Sequence, residues 1–459
     1  MFTKDTYCQR RRQLKSTLKS GVLLFLGNDE SPMNYADNTF HFRQDSSFLY
    51  FFGLDYPSLA GIIDLDEDKE ILFGDELTVE DIVWMGTQPT LTARAESFGI
   101  NEVRPYSQLA DYLKAASSKG RTLHFLPPYR PENKIKLFGL SGINPFEIKS
   151  KASIDLVKAV VNLRNHKSAD EIVEIEKAVN ISVDMHITAM KMARPGMKES
   201  ELAAAVNQVA LAAGGQLSFP IIMTINGQTL HNHYHGNTIK SGDMVMCDCG
   251  AETDLHYAGD LSSTFPVDRS FSERQKEIYQ ISLLAHEAAL AKLSPGVPFR
   301  EVHYSACRTI IEGLKSINLM KGDTEEALAA GAHAMFFPCG TGHMMGLDVH
   351  DMEDLGEVYV GYDGQPKSTQ FGLKSLRLAR PMEPGFVATI EPGIYFIPEL
   401  IALWKKEKVN SSFYNFQNIE AYLDFSGIRN EEDIVITEDG YKILGKRKPK
   451  TIEEVESMR

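Results

Sequence analysis

The chain has 459 residues, 43% hydrophobic and 24% charged, a globular composition on a length greater than one hydrophobic core usually serves, so two domains are expected. Its 62 acidic side chains outnumber 48 basic ones, for a formal net charge of -14. That balance repels polyanions and removes nucleic acid from the expected partners. The apolar run Val22-Leu23-Leu24-Phe25-Leu26 near the start is too short for a signal-peptide core or a membrane span, so no membrane association and a cytoplasmic location are expected. Five cysteines, an odd number in a long chain, argue for reduced thiols over a disulfide framework. Cys247 and Cys249 lie two apart with no second pair, so no cysteine–zinc site is expected.

In chain order, residues 21–26 read as a short buried strand, and residues 60–64 and 70–73 as a strand pair across Asp66-Glu67-Asp68. A helix follows around residues 107–117, which makes the first third an α/β domain. Prolines at 127, 128, 131 and 145 weaken the pattern from about 127 to 161. A long helix begins after Ser168, which with Glu171 forms a capping box ahead of Ile172, Ile175, Val179 and Val183 at helical spacing. The domain boundary is therefore placed near residue 160, giving domains 1–160 and 161–459. Further helices are expected after Arg194-Pro195-Gly196, from Ser272, and over 302–314. Strands are expected at 218–225, 244–250, 262–267, 386–390 and 433–437, so the second portion mixes helices with strands. No internal repeat is evident.

The segments GDMVMCDCG and AGDLSSTFP read as a β-hairpin. If its turn centres on Asp254, then Asp248 and Asp260 face each other directly across the strands. Two carboxylates so placed repel unless a cation lies between them, and a hard divalent metal is the usual one. A glycine-rich segment, Gly340-Thr341-Gly342-His343-Met344-Met345-Gly346-Leu347-Asp348-Val349-His350, brings two histidines where backbone can approach a ligand closely. Glu391 and Glu431 sit in apolar strand contexts, where an unpaired charge is expensive. Four carboxylates and one imidazole form an oxygen-rich donor set for two divalent ions, suited to manganese, with cobalt or zinc as alternatives.

The order Asp, Asp, His, Glu, Glu within GDMVMCDCG, AGDLSSTFPV, GTGHMMGLDVHD, IEPGIYFIPE and GIRNEEDIVIT resembles the pita-bread metallopeptidases, in particular the prolidases and aminopeptidases P. HFRQDSSFLYFFGL and DIVWMG are similar to that family's non-catalytic first domain, and FGLKSLR ahead of EPG is prolidase-like. The resemblance implies an α/β N-terminal domain followed by an α+β pita-bread catalytic domain of the creatinase/aminopeptidase fold. It implies hydrolysis of Xaa-Pro peptide bonds by a dimetal-bound hydroxide, as a dipeptidase or, alternatively, as an aminopeptidase on longer peptides. A metal-free hydrolase or a non-catalytic binding protein on the same fold are remoter readings. A homodimer or homotetramer is the implied assembly.

Carried onto this chain, the resemblance implies that Asp248 chelates one ion, Asp260 and Glu431 bridge both, and His343 with Glu391 completes the second. Glu391 resembles the family's general base, and His350 its oxyanion-contacting histidine. Arg377, Tyr395 and Arg429 are the implied substrate-binding residues, Arg377 standing 14 positions before Glu391 where prolidases hold a substrate carboxylate. The segment His231-Asn232-His233-Tyr234-His235 offers candidates for one substrate-side histidine: distance to Asp248 favours His231, the His-Tyr pair favours His233. Cys339 stands four residues before His343, where relatives carry a second histidine, and reads as a small buried hydrophobe. The spacing of the two aspartates is one residue longer than the family pattern, which a longer hairpin tip absorbs.

Overall fold

The computed structural model describes residues 2–459, and these form two compact units: one runs to Arg164 and includes residues 354–359, the other spans residues 165–353 and 360–459. In the first unit, helix α1 (Lys4–Thr17) leads into strand β1 (Val22–Leu26), helix α2 (Ser46–Phe52), the pair β2 (Ala60–Asp64) and β3 (Lys69–Phe73), and helices α3 (Val79–Met85) and α4 (Leu91–Ser97). Strand β4 (Glu102–Arg104), helix α5 (Leu109–Ser118) and strand β5 (Leu123–Phe125) complete a five-stranded mixed sheet of order β4-β3-β2-β1-β5. Its core gathers Val22, Leu24, Ile62, Ile71 and Phe73 from the strands with Leu109 and Leu113 from α5.

The stretch expected to be irregular, 127–161, holds three helices: α6 (Pro131–Ser141), α7 (Ile148–Lys151) and α8 (Ile154–Asn165). Pro131 occupies the first turn of α6, where its missing N–H costs no helical hydrogen bond, so it starts a helix instead of breaking one.

The second unit opens with α9 (Ala169–Met192), whose Ser168–Glu171 capping box forms as the sequence implies. It is followed by α10 (Glu199–Ala212), β6 (Gln216–Leu217), β7 (Ile222–Thr224), β8 (Met244–Cys249), β9 (Ala251–Glu252) and β10 (Leu261–Pro266). The strand expected over 218–225 is thus split. Pro220, which has no N–H to donate to a ladder, falls in the gap. Helices α11 (Glu273–Lys292) and α12 (Phe299–Ser316) come next, then β11 (Val387–Ile390), β12 (Gly393–Tyr395), β13 (Gly427–Arg429), β14 (Glu432–Ile436) and β15 (Tyr441–Ile443). The strands make sheets of order β10-β8-β7 and β11-β14-β15 with the two-stranded pairs β12-β13 and β6-β9.

A repeat that the sequence hides is plain in the backbone. The α9–α10 and α11–α12 junctions, one hundred residues apart, have the same secondary structure residue by residue across 191–200 and 291–300. Gly196 and Gly296 each adopt left-handed backbone, φ 94° and 81°, which explains why both junctions keep Pro-Gly. Their N–H groups donate to Ile239 O at 2.8 Å and Met382 O at 2.7 Å. Beyond Pro-Gly the two segments share only the glutamate five residues on, which is why the repeat escapes a reading of residue identities.

Candidate metal centre and active site

Every proposed ligand sits at a strand end or beside one. The β8–β10 ladder pairs Asp248 with Ser262, so the hairpin is centred on residue 255 and not on 254, and the expected direct opposition of Asp248 and Asp260 does not occur. The cause is the tip, where Thr253 and Tyr257 are hydrogen-bonded and His256 takes left-handed backbone, φ 65°. Asp260 lies two residues from Ser262, so it shares a face with Asp248 as a diagonal neighbour. The shared face, which the chemistry needs, survives the shift in register.

Asp260 is fixed by its own N–H, which donates to Asp433 Oδ2 at 3.0 Å. Glu431, immediately before β14, donates its N–H to Ser262 O at 3.2 Å and accepts the Ser262 hydroxyl at 2.7 Å. Glu391, immediately after β11, donates its N–H to Thr341 O at 2.7 Å, and Thr389 exchanges backbone and side-chain hydrogen bonds with His343 at 3.0 and 3.2 Å. His343 Nε2 consequently stands 3.4 Å from Asp260 Oδ2 and 3.5 Å from Glu391 Oε1. Asp260, His343 and Glu431 each offer a ligand atom, all within 4.8 Å of one another. Asp248 is turned to a different partner: its Oδ2 accepts from the Arg429 guanidinium.

The cluster is a concentration of buried anions. Desolvation, reinforced by the charge of Asp248, pushes Asp260 up to about 7. Burial likewise raises Glu391, and raises Glu431 well above the ordinary carboxylate range. Arg429 is the one guanidinium inside and is engaged with Asp248, so among the described residues Asp260, Glu391 and Glu431 have no basic ion-pair partner other than His343. Clustered buried carboxylates of this kind are stable as anions only with added positive charge, and hard oxygen donors with one imidazole suit divalent ions. The residues present therefore fit the metals that the sequence implies.

Protein stripped of divalent ions is accordingly expected to lose thermal stability as pH rises. Acids with raised folded pKa values contribute stability that is fully present below their unfolded values, about 4, and lost as pH climbs through the folded value, about 7 for Asp260. Thermal unfolding with a chelator present should show a melting temperature that falls from about pH 5 to about pH 8, and divalent ions should restore most at the alkaline end. A flat profile in the chelator would remove the argument.

A cavity of about 220 Å³ opens over the cluster, and Phe219, Pro220, Ile222, Leu230 and Val349 supply its apolar lining. His231, His233, His350 and Arg377 also line it. His350 packs its ring against His343, centroids 4.2 Å apart, and its Nδ1 lies 2.5 Å from Glu353 Oε2. Arg377 Nε donates to the other oxygen, Glu353 Oε1, at 3.3 Å. Glu353, held low at about 2 chiefly by the His350 hydrogen bond, orients both and was not anticipated from sequence. Of the two open histidines, His231 lies where Asp248, Arg429, Arg377 and His350 act on it electrostatically, and burial lowers its pKa. His233 faces the Ile221 carbonyl at 3.4 Å.

Two expectations, for Tyr395 and Cys339, need correction. Tyr395 is fully buried, its hydroxyl accepting from Arg429 Nη1 at 3.0 Å, so it is not among the cavity-lining side chains. Arg429 does line the cavity, although it is only 4% exposed, and its guanidinium is engaged with Asp248, Ser262 Oγ at 2.9 Å and Tyr395, which lets it position the carboxylates as well. Cys339 is partly exposed on the cavity wall instead of packed as a buried hydrophobe, and desolvation pushes its thiol up to about 12. Asp433, buried and unanticipated, holds the Asp260 backbone. Its only sequence signal is a third acid in Glu431-Glu432-Asp433.

A carboxylate-rich centre with one imidazole, set against strand ends and under a cavity with an apolar lining, defines a metallohydrolase. The model of metallopeptidase family M24 matches residues 173–438, and that of the aminopeptidase P N-terminal domain matches residues 7–124. Human Xaa-Pro dipeptidase is 30% identical over 466 residues, covering 99% of this chain and 92% of its own. The Xaa-Pro aminopeptidase of Escherichia coli strain K12 is 30% identical over 472 residues, 100% of this chain and 98% of its own. The solved structure of zinc-substituted Escherichia coli aminopeptidase P in complex with product superposes with a TM-score of 0.80 at 27% identity, covering 100% of this chain and 98% of that one. The chain belongs to metallopeptidase family M24, with an α/β N-terminal domain and a pita-bread catalytic domain.

Proposed function

We propose that the chain hydrolyses the peptide bond preceding proline with two divalent ions, manganese first, held by Asp248, Asp260, His343, Glu391 and Glu431, and that it acts as an Xaa-Pro dipeptidase. The observation that carries the reading is the convergence of Asp260, His343, Glu391 and Glu431 beneath a cavity with an apolar lining. When bound, the ions supply charge that acidifies a water and polarises the scissile carbonyl. Glu391, which lines the cavity, accepts that water's proton at its carboxylate. His350, oriented by Glu353, donates a hydrogen bond to the oxygen on which charge develops, and His231 contacts the substrate from the opposite segment. The apolar lining takes the proline ring, whose imide lacks an N–H and resists ordinary peptidases. Removal of metal by a chelator is expected to abolish hydrolysis of Ala-Pro and of a longer peptide starting Xaa-Pro, and manganese to restore it; full activity in protein shown by elemental analysis to be metal-free sinks the proposal.

Dipeptide preference turns on Arg377, whose partly exposed guanidinium lines the cavity beside His350. A free carboxylate just past proline is best held by such a fork through charge-assisted hydrogen bonds. Arg377→Ala is expected to raise KM for an Xaa-Pro dipeptide at least about tenfold, since a contact to a charged group is worth roughly 1.5–3 kcal/mol, while longer peptides change little. Equal losses on both substrates would assign Arg377 to structure. They would favour the aminopeptidase reading, which the Arg377–Glu353 contact already supports because it occupies part of the guanidinium.

No helix among the described residues is long and apolar enough to cross a membrane, and the five cysteines are unpaired, which agrees with a reducing cytoplasmic setting. The proposed assembly is a homodimer or homotetramer. Helix α3 supports it with Val79, Val83, Trp84 and Met85 exposed along seven residues, an apolar patch that a second copy would cover.

A further inference from the structure

Outside the carboxylate centre, α12 carries a second group of potential ligands that the proposed hydrolysis does not use. His303 and Cys307 stand four residues apart, on one face of the helix and fully buried. His333, also fully buried, enters from the 3₁₀ turn Ala332–Met335. The three offer ligand atoms that all lie within 4.8 Å of one another. Cys307 Sγ is 3.4 Å from His303 Nε2, close to the roughly 3.6 Å that separates a thiolate and an imidazole on a tetrahedral zinc, given Zn–S near 2.3 Å and Zn–N near 2.0–2.1 Å.

Two further observations point to a ligand. Neither ring nitrogen of His333 has a hydrogen-bond partner among the described residues, although a buried polar group without a partner costs stability. The His303 and His333 rings meet edge to face with centroids 5.7 Å apart, so neither ring satisfies the other. His303 Nδ1 is 2.9 Å from Thr341 Oγ1. With Nδ1–H donating to that hydroxyl, Nε2 is a lone pair facing Cys307, which is how an outer-shell partner prepares a ligating histidine.

We propose that His303, Cys307 and His333 form a separate site for one thiophilic divalent ion of the zinc class. Its nitrogen and sulfur donors contrast with the oxygen-rich centre, so the two sites select different metals. Thr341 lies in the segment Gly340-Thr341-Gly342-His343, and its carbonyl accepts from the Glu391 N–H. Occupancy would therefore brace the backbone that carries His343 and Glu391. Binding deprotonates the Cys307 thiol and releases that proton to solvent.

The test uses the full chain reloaded with cobalt as a zinc surrogate. The expected result is a metal equivalent beyond those of the carboxylate centre and a thiolate-to-cobalt charge-transfer band, which oxygen donors cannot give. Cys307→Ser and His333→Gln should each lose the extra equivalent and the band while keeping peptide hydrolysis within a few-fold. Cys247→Ser and Cys249→Ser should keep the band, which separates this site from the other two buried thiols. No band and no extra equivalent in the parent protein overturns the proposal, as does a band that survives Cys307→Ser. Where Cys307→Ser fails to fold, His333→Gln and the cysteine controls decide, since loss of the band in either control places it elsewhere.

Discussion

Asp260→Ala is expected to lose Xaa-Pro hydrolysis by roughly a thousandfold or more, together with most of its bound metal, while remaining folded. The side chain faces His343 Nε2 at 3.4 Å and clusters with Glu431, and Asp433 fixes its backbone. Removing it takes a donor from both proposed ion positions at once. The fold should tolerate the change, because in metal-free protein this carboxyl is destabilised as an anion by desolvation and by Asp248. Deleting an uncompensated buried charge relieves strain and leaves no polar partner orphaned, since the Asp433 contact is to backbone. Elemental analysis, thermal unfolding and turnover on Ala-Pro separate the possibilities. A variant that holds full metal and turns over normally would show that Asp260 is not a ligand.

The candidate site was legible because its residues violate local rules. Asp248 interrupts an apolar strand, and Asp260, Glu391 and Glu431 each abut one; a carboxylate in such a context demands an explanation that periodicity does not supply. Identity at a handful of positions was therefore enough to collect the set. Exact register was not legible. The hairpin centre depends on the conformation of its tip, and nothing in Thr253-Asp254-Leu255-His256 announces that a histidine takes the left-handed backbone.

Partners contributed from far along the chain stayed hidden for the same reason. Arg429 sits in a strand-like run and reads as a residue available to substrate, yet it reaches Asp248, Ser262 and Tyr395 across 181, 167 and 34 positions. Asp433 reaches Asp260 across 173 positions, and Glu353, although only three residues from His350, has no sequence signature beyond being acidic. The His303, Cys307 and His333 group is hidden twice over, since its helix pair is only an i, i+4 spacing and its third member arrives from a separate turn. Helices were easier where a cap marks the start, as at Ser168, than where proline could be taken for a breaker, as at Pro131.

Replacement of Glu391 by glutamine is expected to lower kcat by roughly 100-fold or more with substrate affinity less affected, because the substitution keeps shape and removes the proton acceptor. Among the four carboxylates Glu391 has the most open side chain, 19% exposed against 8% for Asp260 and 10% for Asp248, with Glu431 buried. That exposure is toward the cavity, which Glu391 lines. Its Oε1 accepts from Thr389 Oγ1 at 3.4 Å and lies near His343, so the orientation of the acceptor is fixed before substrate arrives. Part of the loss will come from a weaker ligand, since an amide oxygen is a poorer donor to a divalent ion than a carboxylate. Turnover measured across a manganese titration divides the two contributions: the ligand deficit recovers at saturating metal, and the proton-transfer deficit does not. A Glu391→Gln variant that regains the parent kcat once metal is saturating would move the base to another group, and His231 would become the first residue to replace.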